Sequence, residues 1–301
     1  MTISAFDGLN ENTFSNKVRN QLDEKKQNWS ETLNIVVIGK VSSGKSSLIN
    51  ALLRLSRKQA IQIAKVGAKS GVTKKTNEIS LDDKVLLIDS PGLDDIRKEN
   101  SKRTQKFLKH IDIGIFVVTG SSDASQKRNL DQLKNQCKSI FVVLNKIDEW
   151  DGLKSSAIED VINQWKTDLD IDKIYPTNTK GYDPQSTTSD MDIRGVYALR
   201  NDIEAFLQKE GKDLLLKRHM ADKKPYANGI IASALASVAV QSLLPGAALY
   251  ITVTQTAAIA SLYYLYTGKI MSAEAAITMV PVFLAETPSP NIFLAIKSFL
   301  P

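Results

Sequence analysis

Gly39 to Ser47 reads GKVSSGKSS, and this stretch decides the fold. It satisfies G-x-x-x-x-G-K-[ST]. Ahead of it, Leu33 to Ile38 (LNIVVI) has the apolar run of a buried strand; behind it, Ser47 to Leu55 (SLINALLRL) has the one-sided apolar spacing of a helix. A glycine loop that joins a strand end to a helix start is a phosphate cradle. Gly39 and Gly44 let backbone N–H groups turn inward past Ser42, Ser43 and Ser47, and the helix N-terminus adds partial positive charge. Lys45 is placed to reach the outer phosphates, and the Ser46 hydroxyl to hold Mg²⁺.

Moving outward, Lys84 to Asp89 (KVLLID) is a second apolar strand that ends in Asp89-Ser90-Pro91-Gly92. An acid at a strand end beside a phosphate loop can hold the water shell of Mg²⁺ while the Gly92 N–H approaches the terminal phosphate. Ile111 to Val118 (IDIGIFVV) and Ser139 to Leu144 (SIFVVL) follow as further strands, separated by the polar helical stretch Gln126 to Lys134. Near-continuous apolar runs alternating with helices predict a mainly parallel sheet covered on both faces.

The strand Ser139 to Leu144 runs into Asn145-Lys146-Ile147-Asp148. A carboxylate two residues beyond the lysine can accept both N1–H and the exocyclic amine of guanine, a pattern adenine does not supply. Asn145 is placed to bridge the base and the phosphate loop, and the Lys146 stem to lie over the ring system. After a helix over Ser155 to Leu169, a last strand over Lys173 to Pro176 leads to Thr177-Asn178-Thr179-Lys180-Gly181. There a backbone N–H near Asn178 could meet the guanine O6. Ile193 to Leu207 is expected to be the closing helix.

Taken together, GKVSSGKS, Thr73, DSPG, NKID and TNTKG resemble the translation-factor-related P-loop GTPases, nearest to the Era-like and dynamin-like groups, over roughly residues 33–208. The resemblance implies a GTPase that binds GTP or GDP with Mg²⁺. Lys45, Thr73 and Gly92 would be its catalytic set, and Ser46, Thr73 and Asp89 its metal ligands. Thr76 competes with Thr73 for the role of switch threonine. Two departures stand out. Leu93 occupies the position where Ras-like enzymes carry a water-orienting Gln, so intrinsic hydrolysis is expected to be slow. Ser42 stands where potassium-activated Era-like relatives have Asn.

Composition sets the outer bounds. The chain has 301 residues, enough for a full core and a second, smaller unit. Its hydrophobic content of 43% and charged content of 24% are ordinary for a globular protein. A mean hydropathy of -0.17 excludes a polytopic membrane protein taken as a whole. The net charge of +6 permits contact with nucleic acid or anionic lipid, but the basic residues are scattered among acidic ones and no DNA partner is expected. A single cysteine, Cys137, cannot form an internal disulfide, and Met1 to Asn10 carries no signal peptide, so a reducing, cytoplasmic setting is expected. His110 and His219 are isolated and suggest no metal site of their own.

The two ends of the chain differ from its middle. Phe14, Val18, Leu22 and Trp29 make residues 10 to 31 an amphipathic leading helix, expected to pack on the nucleotide-binding domain, with a partner-binding or membrane helix as the alternative. Beyond residue 208, Lys209 to Lys224 holds six Lys or Arg against three acids, and from Tyr226 to Gly268 no charged residue occurs. Pro245-Gly246 divides that run into halves long enough to span a bilayer, with Tyr226, Tyr263, Tyr264 and Tyr266 near its ends as interfacial anchors. Its Ala, Ser and Thr content, with Gln241 and Gln255, equally suits a helical domain packed on itself. The segment resembles a helical domain of unknown function that follows Era-like GTPases in bacteria and is often described as membrane-associated. That resemblance implies a membrane lipid or protein partner for residues 209–301, at the inner face of a membrane, and a nucleotide-dependent dimer is compatible with it. The expected organisation is an N-terminal helix (1–32), an α/β GTPase domain (33–208) and an all-α apolar C-terminal domain (209–301).

Overall fold

A computed structural model describes residues 11–54, 77–90, 109–182, 191–243, 247–272 and 275–276. The chain forms two compact units. One is Thr32–Asp213, and the other combines the described parts of Met1–Glu31 and Leu214–Pro301.

The first unit is an α/β sheet sandwich. In chain order, after α1 (Glu11–Ser30) of the other unit, it contains β1 (Leu33–Gly39), α2 (Lys45–Leu52), β2 (Asn77–Ser80), β3 (Val85–Ser90), β4 (Ile111–Val118), α3 (Gln126–Lys134), β5 (Cys137–Leu144), α4 (Ser155–Leu169), β6 (Tyr175–Pro176), β7 (Asn178–Lys180), β8 (Asp192–Arg194) and α5 (Val196–Lys209). The main sheet has the order β2-β3-β1-β4-β5-β6. Its strands β3, β1, β4, β5 and β6 are parallel, and β2 runs antiparallel at the edge. β1, β3 and β4 are buried along their whole length, as expected of strands covered on both faces. Val36, Ile38, Ile88, Phe116, Leu130, Leu133, Val142, Leu144, Trp165 and Leu169 form one core.

β4, α3 and α4 coincide with the ranges that periodicity predicts, and the parallel sheet flanked by helices is as expected. Other elements differ, among them α2, which runs Lys45–Leu52 where Ser47 to Leu55 is expected. Ile193 does not belong to the closing helix but to β8, which pairs antiparallel with β7 as a separate two-stranded sheet. The helix begins only after Gly195, whose φ of 72° is left-handed and whose Cα lies so close to β6 that an added Cβ would fall 1.9 Å from the Pro176 carbonyl oxygen. The last parallel strand is also shorter than predicted, because β6 is only Tyr175–Pro176.

The second unit contains α1 together with α6 (Lys224–Gln241) and α7 (Ala247–Thr267). The leading helix finds its partner here: Val18, Leu22 and Trp29 are buried, and the Trp29 ring stacks on Tyr264 at 4.6 Å and 3°. The Tyr264 hydroxyl donates to the Trp29 carbonyl at 3.3 Å, and the Arg218 guanidinium lies 5.1 Å from the Tyr264 ring. This corrects two expectations. The amphipathic face of α1 is taken up by α7 of its own unit, and Tyr264 is a core residue instead of an interfacial anchor. Gln241 and Thr254 join α6 to α7, the Gln241 amide donating at 2.9 Å and the Thr254 hydroxyl lying 3.0 Å from Oε1. No helix among the described residues is long and apolar enough to cross a membrane.

Candidate functional site

The site is built at the carboxyl edge of the parallel sheet, where open α/β folds place ligands. β1 delivers Gly39 into the loop, and α2 starts at Lys45. Between them Ser42 and Gly44 both hold left-handed backbone, with φ of 65° and 84°. Such residues set among right-handed neighbours curl the backbone into a nest whose N–H groups converge on an anion. Gly44 permits a second close approach. A Cβ there would fall 2.3 Å from Nδ2 of Asn145, so glycine is what lets the segment after β5 touch the loop. Ser43 and Lys45 are buried, Ser46 and Ser47 half-buried in the first turn of α2.

Lys45 lies along the inside of the loop. Its ammonium donates to the carbonyl oxygens of Gly39 at 3.0 Å and Lys40 at 3.1 Å, and stands 3.7 Å from Oδ1 of Asp89. Burial lowers its pKa, and Asp89 offsets part of that shift. Asp89 arrives on β3, in register with Val37 of β1, and accepts the Ser46 hydroxyl on Oδ2 at 2.5 Å. The resulting group is an ammonium, a hydroxyl and a carboxylate under a helix N-terminus. It fits a polyphosphate with a hydrated divalent cation. Among the described residues no cluster of three or more His, Cys, Asp or Glu could hold a metal. A cation placed here would therefore complete its shell with phosphate and water oxygens.

Asn145 is the hinge between the two halves of the site. Its Nδ2 donates to the Ser43 carbonyl at 2.9 Å, and its Oδ1 accepts the Thr177 hydroxyl at 3.1 Å, while the Thr179 hydroxyl lies 3.3 Å from Nδ2 and 3.4 Å from Oδ1. One buried amide thus ties the phosphate loop, the end of β5 and the start of β7. Lys146 follows in left-handed backbone (φ 66°) with its ammonium 3.8 Å from Glu149. Asp148 sits in the 3-10 turn Ile147–Trp150, its Oδ2 3.7 Å from the Lys180 ammonium. Asn178 is buried, and its side chain is committed to Asp192, to which Nδ2 donates at 2.7 Å. This leaves the backbone of Asn178, and not its side-chain amide, for a base.

Thr73, Thr76, Gly92 and Leu93 lie outside the described residues. Four participants were missed by sequence reasoning. Thr177 and Thr179 embrace Asn145; their i, i+2 spacing in TNTKG, which puts alternate side chains on one side of an extended segment, was the available signal. Arg200 of α5 donates through Nε to the Leu52 carbonyl at 2.9 Å and through Nη2 to Ala51 at 2.7 Å. It satisfies the last-turn carbonyls of α2 and so fixes the helix that carries Lys45 and Ser46. Lys40 in the loop is held to Asp123 at 2.6 Å. Neither of these two contacts leaves a mark in local sequence.

A strained glycine loop at the end of a central strand, an acid on the neighbouring strand and an Asn-Lys-x-Asp turn two strands away give Thr32–Asp213 the layout of a P-loop GTPase domain. Residues 34–146 match the family described as 50S ribosome-binding GTPase. GTPase Der of a Nitratiruptor species is 31% identical over 194 residues, which is 54% of this chain and 39% of that protein. GTPase Der of Campylobacter fetus subsp. fetus is 40% identical over 122 residues, 38% of this chain and 25% of that protein. The chain therefore spans well under half the length of these relatives. Among solved structures, the G domain of the T. maritima FeoB iron transporter aligns with 59% of this chain and 100% of its own at 20% identity and a TM-score of 0.34.

Proposed function

We propose that the protein binds guanine nucleotide with Mg²⁺, hydrolyses GTP slowly to GDP and phosphate, and acts as a nucleotide-controlled switch on the large ribosomal subunit or its precursors. The observation that carries the nucleotide reading is Asn145, which holds the phosphate loop and the guanine-reading turn in one buried hydrogen-bonded unit. The description of the matched family supports the ribosomal part.

In this reading Gly39, Ser42, Ser43, Gly44 and Ser47 shape the phosphate nest. Lys45 neutralises charge on the outer phosphates, and Ser46 and Asp89 hold the cation, Asp89 through water. Bound Mg²⁺ would supply electrostatic stabilisation of the charge that develops on the phosphate oxygens. Thr73 or Thr76, with Gly92, would respond to the terminal phosphate. Asp148 accepts the N1–H and amine of guanine, the Lys146 stem covers the ring, and the backbone beside Asn178 meets the base oxygen. Leu93 cannot orient water, so hydrolysis depends on positioning and charge, and acceleration by the partner is expected.

Two measurements test this. Asp148→Asn should weaken GDP binding at least about tenfold and shift preference toward xanthosine diphosphate; unchanged GDP affinity removes the guanine assignment. Co-sedimentation with purified 50S subunits should be stronger with a non-hydrolysable GTP analogue than with GDP. Equal or absent co-sedimentation in both states removes the ribosomal part and returns attention to residues 209–301. There the charge-free run Tyr226 to Gly268, with Leu235, Val240 and Leu243 exposed, favours a membrane surface or a protein partner as the second reading.

A further inference from the structure

We propose that Arg194 is the positioning residue that clamps the two base-facing segments of the site to each other, an inference that rests on the guanine-binding reading. Its guanidinium forks onto Asp151, Nη1 to Oδ1 at 2.7 Å and Nη2 to Oδ2 at 2.8 Å, and Nη2 also reaches Oδ2 of Asp192 at 2.9 Å. That same Asp192 oxygen accepts Nδ2 of Asn178. Asp151 closes the 3-10 turn that begins just before Asp148, its N–H donating to the Asp148 carbonyl at 3.3 Å. Asn178 lies between Thr177 and Thr179, the two hydroxyls that hold Asn145. One side chain on β8 therefore spans from the turn that carries the base-reading carboxylate to the segment that offers backbone to the base.

The backbone of Arg194 is itself fixed, because Gly195 presses its Cα against the Pro176 carbonyl and leaves no room for the strand to drift. The clamp needs arginine. A planar fork fixes both the distance and the orientation of the Asp151 carboxylate, whereas an ammonium fixes distance alone. Arg194, Asp151 and Asp192 are all partly exposed, at 39%, 55% and 40% for their side chains, so the network contributes little to global stability. What it sets is the register of two loops, and base recognition requires groups held to about half an ångström. Its effect is therefore expected in guanine discrimination more than in folding.

The test uses the full chain and four proteins: wild type, Arg194→Ala, Arg194→Lys and Asp151→Asn. Release of the fluorescent analogue mant-GDP is measured after a chase with excess GDP, and the affinities for GDP and for inosine diphosphate, which lacks the exocyclic amine, are compared. Arg194→Ala should release mant-GDP about fivefold faster and lose a similar factor of its preference for GDP over inosine diphosphate, with its melting temperature shifted by no more than about 2 °C. Arg194→Lys should recover little of either. Asp151→Asn should reproduce the effect, and it carries the test if the Arg194 variants fold poorly. Release and preference unchanged in Arg194→Ala and Asp151→Asn, while wild type binds GDP, overturn the clamp alone. Wild type that does not bind GDP removes the guanine reading and the clamp with it.

Discussion

Asn145→Ala removes a side chain whose bonds are all internal to the protein. The Ser43 carbonyl loses the Nδ2 donor at 2.9 Å and the Thr177 hydroxyl loses the Oδ1 acceptor at 3.1 Å, while Thr179 loses two weaker contacts at 3.3 and 3.4 Å. Thr177 and Thr179 are both buried, at 0% and 4% exposure, so water does not readily replace what is lost. Two good bonds at about 1 kcal/mol each, with one or two buried polar groups left short of a partner, give a loss of about 2–4 kcal/mol. Urea unfolding followed by tryptophan fluorescence measures this directly, with mant-GDP titration alongside. Because the bridge joins the phosphate loop to the base-reading turn, stability without added nucleotide and GDP affinity should fall together. A stability change below about 0.5 kcal/mol with GDP affinity intact would refute the reasoning, since the amide would then be no bridge at all.

Lys45→Met should abolish tight GDP binding, by at least about 100-fold, while leaving the fold intact. Burial lowers the folded pKa of Lys45, so relative to its neutral form the protonated side chain costs stability below the folded value, and that cost fades as pH rises from the folded value toward the ordinary one. GDP should no longer raise the melting temperature of the variant; a GDP-dependent rise equal to that of wild type contradicts the assignment of Lys45 to the phosphates. Cys137 gives an independent check on packing. Burial and the nearby Asp112 push its thiol up to about 12, so at pH 8 alkylation by iodoacetamide should run about a thousandfold slower in the folded protein than in urea; fast labelling of the native state contradicts that environment.

Much of the nucleotide unit was legible because its strands are near-continuous apolar runs. Ile111 to Val118 and Val142 to Leu144 could only be buried, and a glycine-rich loop after such a strand has few other uses. What escaped was set by contacts distant in sequence. β7 and β8 are three residues each, too short for any period to show, and what pairs them is a Gly195 backbone driven against Pro176. The expected base contact near Asn178 is a backbone N–H, and the commitment of its side chain to Asp192 is visible only in the structure. The amphipathic spacing of α1 announced that it had a partner, but an apolar stripe does not say which surface it meets. Uncharged sequence from Tyr226 to Gly268 was compatible with a bilayer or with helix packing, and the stacking of Tyr264 on Trp29 reveals the part that packing plays.

That stacked pair has a consequence for how the chain is made. The helical unit is split by the whole nucleotide unit, and Trp29 and Tyr264 are 235 residues apart. At about 5–20 residues per second, the leading helix waits roughly 10–50 s after synthesis before its partner exists. Throughout that interval the face bearing Val18, Leu22 and Trp29 lacks α7, the helix that covers it in the finished chain, whereas Thr32–Asp213 is already made. The Lys212 ammonium donates to the Thr32 carbonyl at 2.9 Å, which brings the two ends of that unit together and so shortens the search that α1 and α7 must still complete. Thr32–Asp213 is thus complete in the chain well before Trp29 can meet Tyr264.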